Sequence, residues 1–568
     1  MVDIKKEIIK KFPSLTDKRP MIKESLFKVA QKIIHEDTIN DFLTLHSHLE
    51  GFEFVEAVLD YFKLDFTYSS NDIENIPATG KVVIIANHPL GALDALCLLK
   101  LISIVRKDVK IVANDFLTGI SSLDSLFIKI DNYKQSQSKK SIQDIYDALD
   151  SEKAVIIFPA GEVSRVSPYG IRDGKWQKGF LKFASKSKSP ILPILVDAKN
   201  SKTFYTVSVL NKTFSTILLS DEMFKQKDKN INIKIGKIIA TKDINPNNIP
   251  KDILVNIYKK HLYSLKKGKK SFFQTQNAIA HCENRQQIKQ ELKESMFLGK
   301  TSDGKVIYLY SYKSDSIVLK EIGRLREISF RKVKEGVNKK RDTDKYDKYY
   351  KHIVLWDEDD LEIVGSYRVG NSKEILKKYG FDGFYSNTLF EFQNEFIPHL
   401  NNSVELGRSF VQPKYWGTRA LDYLWFGIGA YLKANPEVKY MFGPVSISGS
   451  LSPIAKDLII NFYSNYFKAN SKIVKPRLKY KYNYENNELL NMNANKNYKI
   501  DLKILKDSLK AIDATIPTLY KQYGDLCEDG GVQFHGFNID PNFSNCVDGF
   551  IIVDIEEIKK AKKLRYIK

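Results

Sequence analysis

Residues 82–95 read VVIIANHPLGALDA: an apolar run, then Asn87 and His88, a turn on Pro89 and Gly91, and a second apolar run around Asp94. An unbroken run of β-branched residues is the pattern of a strand buried on both faces. Proline and glycine behind it end that strand and let a helix start near Ala92. His88 is therefore placed at a strand end and Asp94 at a helix N-terminus. A carboxylate so placed can hold one imidazole nitrogen and leave the other as a base for a hydroxyl proton. Taken alone, the stretch fits a plainer reading at least as well, with His88 ending the strand and Asp94 neutralising the helix dipole.

The surrounding chain repeats the pattern. VKIVAN (109–114), KAVIIFPA (153–160) and PILPILVDA (190–198) are further apolar strands separated by helical stretches, which predicts an α/β layer with much parallel pairing. They too end in polar groups, Asn114 after one and Gly161, Glu162, Ser164 and Arg165 after another. As an ordered set, over roughly residues 50–230, these blocks resemble the glycerolipid acyltransferase superfamily, with its Asn-His-x-x-x-x-Asp and Phe-Pro-x-Gly motifs. Five residues rather than four separate His88 from Asp94, a departure that resembles the hemolysin-like subgroup, which acylates lyso-forms of amino-acid lipids. The resemblance implies that His88 is the base and Asp94 its orienter, with Asn87, Asn114, Gly161, Glu162 and Arg165 about the acceptor or thioester. Arg165 suits that role because a guanidinium holds a carboxylate or phosphate in a fixed fork; a solvated surface arginine is the alternative.

At 568 residues the chain exceeds one ordinary core. A lysine-rich and then polar stretch, YKKHLYSLKKGKKSFFQTQNAIAHCENRQQ (258–287), predicts a boundary, with a first domain over 1–265, a linker over 266–290 and a second domain over 291–568. Hydrophobic residues at 43% and charged residues at 28% exclude a disordered chain or a membrane bundle. The formal charge of +21 calls for an anionic partner: nucleic acid, an acidic protein or an anionic lipid surface. No zinc-finger, RRM-like or Arg-rich helical motif accompanies it, so nucleic acid is not expected. Cys97, Cys282, Cys527 and Cys546 lack CxxC spacing, which argues against a disulfide framework or a zinc site. The N-terminus, MVDIKKEIIKKFPSL, is neither a signal peptide nor a spanning helix; Ile8, Ile9 and Phe12 are candidates to dip into a lipid surface.

The second half restarts with strands KVIYLYSY, HIVLWD and EIVGSYRV and helices ALDYLWFGIGAYLK and AKDLIINFYSNYF. SVELGRSFVQPKYWGTRALDYLWFGIGAYL (403–432) reads as strand, turn and helix. The helix N-terminus can receive a phosphate, with Lys414 and Arg419 flanking the turn; an ordinary βα turn is the alternative. In order along this half stand Arg326 and Phe330, Asp344 and Asp347, Arg368, then Glu405 and Arg408. The series resembles the acyl-carrier-protein-dependent branch of the GNAT N-acyltransferases, which includes acyl-homoserine-lactone synthases and the first enzyme of ornithine-lipid synthesis. Leu424–Trp425, GPVS (443–446) and FSNCVDG (543–549) are similar to the ornithine-lipid enzymes, whereas Gly336 stands where the lactone synthases carry a tryptophan.

A carboxylate such as Glu405, directly or through water, would accept the proton of a protonated amine before it attacks a thioester. Asp344 and Asp347 would either bind a cationic side chain or brace the fold. Arg326, Arg368 and Arg408 would either hold the phosphopantetheine or acceptor carboxylate or form buried ion pairs. The whole chain resembles the bifunctional ornithine-lipid synthases. That implies two unlike α/β domains, the second N-acylating an amino acid, ornithine favoured over glycine, serine or lysine, with a 3-hydroxyacyl group. The first would then esterify its 3-hydroxyl, a lysophospholipid being the alternative acceptor. No bound cofactor or metal is expected. The donor would be acyl-acyl carrier protein or acyl-CoA, and the enzyme would sit on anionic lipid at the cytoplasmic face of the bacterial inner membrane.

Overall fold

The computed structural model describes residues 27–28, 31–114, 119–130, 139–210, 212–469, 471–483 and 497–567. Ile8, Ile9 and Phe12 lie outside the described residues. The chain divides into two compact units, Met1–His281 and Cys282–Lys568. Within the expected linker 266–290, Gln276 bridges to Ile238 of the first unit, Ala278 and Ala280 are buried, and the helix Arg285–Lys293 opens the second unit. Among the described residues no helix is long and apolar enough to cross a membrane.

Among its described residues the first unit holds nine strands: β1 (Asp65–Thr67), β2 (Val82–Ala86), β3 (Val109–Asn114), β4 (Phe127–Ile130), β5 (Ala154–Ile157), β6 (Arg165–Ser167), β7 (Gly170–Arg172), β8 (Ile191–Asp197) and β9 (Asn230–Ile235). Seven form one sheet in the order β1-β9-β8-β2-β5-β3-β4, all parallel pairs except β8 with β9; β6 and β7 make a separate hairpin. At its centre β2 is buried along its whole length. Val82, Ile84 and Ala86 enter the core on one face, Val83 and Ile85 that on the other, which is why the run is continuously apolar rather than alternating. Each fully buried aliphatic of this kind contributes about 1.5–3 kcal/mol. The polar residues that follow gather at the carboxyl ends of the parallel strands, the usual place for a site in such a sheet.

The second unit holds β10 (Met296–Lys300), β11 (Val306–Ser311), β12 (Lys351–Asp357), β13 (Glu362–Asn371), β14 (Phe390–Phe392), β15 (Ser403–Val411), β16 (Tyr440–Ile447), β17 (Val474–Pro476), β18 (Val532–Asp540) and β19 (Cys546–Asp554). Eight of them form a sheet in the order β10-β11-β12-β13-β15-β16-β19-β18, antiparallel but for β15 with β16. That parallel pair is joined only at Ser403, Val404 and Glu405, opposite Tyr440, Met441 and Phe442. Beyond Glu405 the two strands part. Arg408 on β15 has a left-handed φ of 48°, and the register of β13 against β15 shifts between Ser366 and Arg368, so β15 bends at this point. Gly443 allows the last close approach, since a Cβ there would lie 2.1 Å from the Leu406 carbonyl oxygen.

Candidate active sites

The first unit brings together the strand ends behind β2 and β5. His88 Nδ1 lies 2.9 Å from Asp94 Oδ1, and Asp94 Oδ2 accepts from the Leu90 backbone N–H at 2.8 Å. Asp94 is wholly buried, so both of its oxygens are committed and the imidazole is fixed in direction. The Phe158 ring stacks on His88 with centroids 4.1 Å apart. With Nδ1 engaged, Nε2 is the nitrogen left for a substrate. The Ser164 N–H donates to the His88 carbonyl at 2.7 Å and ties the loop after β5 to the loop after β2.

A residue without a signal in the sequence completes this site. Asp173, buried in the loop after β7, accepts from the His88 N–H (3.2 Å), Ser164 Oγ (2.6 Å) and Trp176 Nε1 (2.9 Å). Burial raises its carboxyl above the ordinary range, against the pull of those hydrogen bonds. Burial also disfavours protonated His88, but the charge and hydrogen bond of Asp94, with Asp173 beyond, outweigh it, and the imidazole is raised above its ordinary value.

Other expected residues fall differently. The Asn87 amide donates to the Val196 carbonyl and accepts from the Val196 N–H, both at 2.8 Å, and so braces β2 against β8. Asn114 ends β3, and its side chain lies outside the described residues. Gly161 turns the chain with a φ of 66°. Arg165, half-buried, donates to Ser215 Oγ at 2.6 Å and lies 3.9 Å from Glu162 Oε2.

In the second unit most of the expected residues form one buried ion-pair lattice. Arg326 Nη1 donates to Asp347 Oδ1 at 2.8 Å, and Arg368 Nη1 donates to both oxygens of Asp344 (2.7 and 2.8 Å) and to Asp347 at 3.2 Å. Burial works against ionised Asp347, but the two guanidiniums hold it far below the usual carboxylate range. Asp344 caps the short turn over Lys345–Lys348. Of the two readings left open for Arg326, Arg368, Asp344 and Asp347, this geometry is that of the buried ion pairs.

Between the parted strands lies a cavity of about 780 Å³. Leu406–Val411 wall one side and Met441–Ser446 the other, and Trp416, Gly417 and Thr418 from the turn after β15 join them. Of the three expected arginines only Arg408 reaches it, its guanidinium over the rings of Tyr385 (4.7 Å) and Phe543 (5.2 Å). Glu405 does not line it. The carboxylate of Glu405 is buried and accepts from the Ser386 N–H (2.7 Å), Ser386 Oγ (2.6 Å) and the Tyr350 hydroxyl, so both of its oxygens are engaged within the fold. Lys414 Nζ sits between Asp360 and Glu362, and Arg419 faces Asp422 at 3.5 Å. Three acids that sequence reading gave no role, Glu335, Asp422 and Asp548, do line the cavity. Asp548 stands inside the FSNCVDG block, the one signal that pointed towards it.

An oriented imidazole at the ends of parallel strands, and beside it on the same chain a sheet opened between two parallel strands, define an acyl-transferring enzyme with two unlike domains. A family model described as acyltransferase matches residues 6–271, and one described as acetyltransferase (GNAT) domain matches residues 325–426. A glycine N(alpha)-acyltransferase of Phocaeicola vulgatus is 32% identical over 49% of this chain and 89% of its own length. A lyso-glycine lipid O-acyltransferase of Bacteroides thetaiotaomicron is 30% identical over 44% of this chain and 92% of its own. An L-ornithine N(alpha)-acyltransferase of Brucella abortus is 28% identical over 46% of this chain and 93% of its own. The chain belongs to two acyltransferase families joined on one polypeptide, that of the glycine N(alpha)-acyltransferase and that of the lyso-glycine lipid O-acyltransferase.

Proposed function

We propose that the chain builds a diacylated aminolipid in two steps. The second unit joins a 3-hydroxyacyl group from a thioester to the α-nitrogen of an amino acid, and the first unit esterifies the 3-hydroxyl of that product. One observation carries the reading: a single chain is similar, along most of each relative's length, to a glycine N(alpha)-acyltransferase and to a lyso-glycine lipid O-acyltransferase. Glycine is favoured over ornithine, because Asp344 and Asp347, the acids considered for a cationic side chain, are both engaged by arginines. An acidic acyl carrier protein is the favoured donor, and an anionic lipid surface the favoured location, on the charge of +21.

In the first unit His88 takes the hydroxyl proton on Nε2, the oxygen attacks the thioester carbonyl, and the departing thiolate recovers the proton from the imidazolium. Asp94 holds the imidazole and balances its charge. In the second unit Arg408 holds the amino acid's carboxylate. The N–H groups of β15 past Glu405, beyond its pairing with β16, hold the thioester oxygen as charge develops.

The test is expression in a host that lacks aminolipids, followed by lipid extraction and mass spectrometry. A new diacyl lipid with a glycine headgroup is expected, and His88→Ala accumulates its monoacyl precursor. An unchanged diacyl lipid in His88→Ala removes the first-unit assignment, and an ornithine or serine headgroup replaces glycine.

A further inference from the structure

The amine that enters the second unit arrives mostly as an ammonium and must lose a proton before it attacks a thioester. Glu405 is turned away from the cavity, with its oxygens taken by Ser386 and Tyr350. Three other carboxyl groups stand in the cavity wall, of which Asp422 is held by Arg565, Tyr566 and Arg419. Asp548, on β19, is 2% exposed and accepts from Ser446 Oγ at 2.6 Å. Glu335 follows the helix Ile317–Lys332, and its own N–H is held by the Phe330 carbonyl at 2.7 Å. The next residue is Gly336, where a Cβ would lie 2.4 Å from Arg331 Cγ, so the chain can make this turn only without a side chain beside Glu335. Arg408 lines the same cavity, with its guanidinium 3.5 Å from Asp342 Oδ2 and 3.8 Å from Asp344 Oδ2.

We propose that Glu335 and Asp548 together form the proton acceptor for the amine, a catalytic pair facing the gap between β15 and β16. Burial, and then the charge of Asp548, push Glu335 up to about 7; burial, with Asp540 behind it, pushes Asp548 up to about 7 against Ser446 and Arg408. Near neutrality the pair therefore carries one proton and one negative charge. The ionised member takes a proton from the ammonium. The nitrogen lone pair attacks the thioester carbon, the N–C bond forms and the C–S bond breaks. One acid gives its proton to the leaving sulfur, the nitrogen returns its second proton to the carboxylate so freed, and one proton passes to solvent. The products are amide, thiol and H⁺, and the pair is again singly protonated.

This assignment rests on the amide-forming reading, and one experiment separates the two. Amide formation by the full chain from glycine and an acyl thioester is measured at pH 7 and upward for wild type, Glu335→Gln and Asp548→Asn, with infrared titration of the carboxyl bands. Each variant is expected to lower kcat by roughly 10²- to 10⁴-fold at pH 7 while the thioester KM holds. Its rate climbs back as rising pH supplies free amine, and a carboxylic-acid band that persists to neutral pH in wild type is lost. Wild-type amide formation with kcat and pH profile unchanged in both variants overturns the pair alone. A wild type that makes no amide from any amino acid overturns the amide-forming reading and the pair with it. Where a variant fails to fold, the wild-type infrared titration decides: absence of a neutral-pH carboxylic acid overturns the pair.

Discussion

At His88, burial and two carboxylates pull in opposite directions, and the carboxylates prevail. A base works in its neutral form, so ester formation on a supplied lyso-lipid is expected to rise with pH through a midpoint above the ordinary imidazole value and to level off beyond it. Asp94→Asn removes the charge that holds the proton on the ring, so the midpoint moves to lower pH while the plateau rate falls with loss of the oriented tautomer. A pH profile of the purified pair of proteins reads both effects, and a midpoint that stays in place in Asp94→Asn removes Asp94 as the charge that tunes His88. The His88–Asp94 pair was legible because both partners fall within one strand–turn–helix segment. Asp173 was not, since it reaches the same point from a loop beyond the β6–β7 hairpin, in a stretch (GIRDGKW) with no periodicity to place it. Glu335 and Glu405 show the same limit: proximity in a motif marked Glu405, but only the bend of β15 decides which acids face the cavity.

The element that makes the second site is the parted pair β15–β16. Its strands were readable from their apolar runs, and the first unit's from theirs, because burial on both faces leaves a continuous hydrophobic signature. Where two strands stop pairing leaves none; it depends on the left-handed Arg408 and on the backbone approach at Gly443. Gly443→Ala would set a methyl group 2.1 Å from the Leu406 carbonyl, a clash between backbones that neither strand relieves by a side-chain rotation. Overpacking of this kind costs about 1–3 kcal/mol or more. The second unit is expected to melt at lower temperature and to bind its thioester with a higher KM, while ester formation by the first unit is unchanged. Gly407→Ala is the control, because a Cβ there meets nothing within 4 Å. Calorimetry that finds equal shifts for the two substitutions would remove the close approach as the cause.

On the scale of the whole molecule, the two units keep separate cores and separate sheets, divided between His281 and Cys282. The two kinds of relative are matched over 89% and 92% of their own lengths by about half of this chain each, so each half resembles a protein that stands alone. A domain with its own core is able to fold alone. Residues 1–281 and 282–568, expressed as separate chains in one aminolipid-free host, are therefore expected to restore the diacyl lipid. Residues 282–568 alone should yield only the monoacyl intermediate, and residues 1–281 alone neither product. The proposed chemistry requires only that the first product, on that reading a hydroxyacyl amide, reach the second site, and a lipid of that kind would partition to a membrane surface where the other half could meet it. Covalent linkage then raises the local concentration of the second site rather than creating its activity. The decisive comparison is the ratio of monoacyl to diacyl lipid in the split and intact forms: a modest rise of monoacyl lipid on splitting fits independent units, whereas complete loss of diacyl lipid, with both halves folded, would mean that the intermediate passes only within one chain.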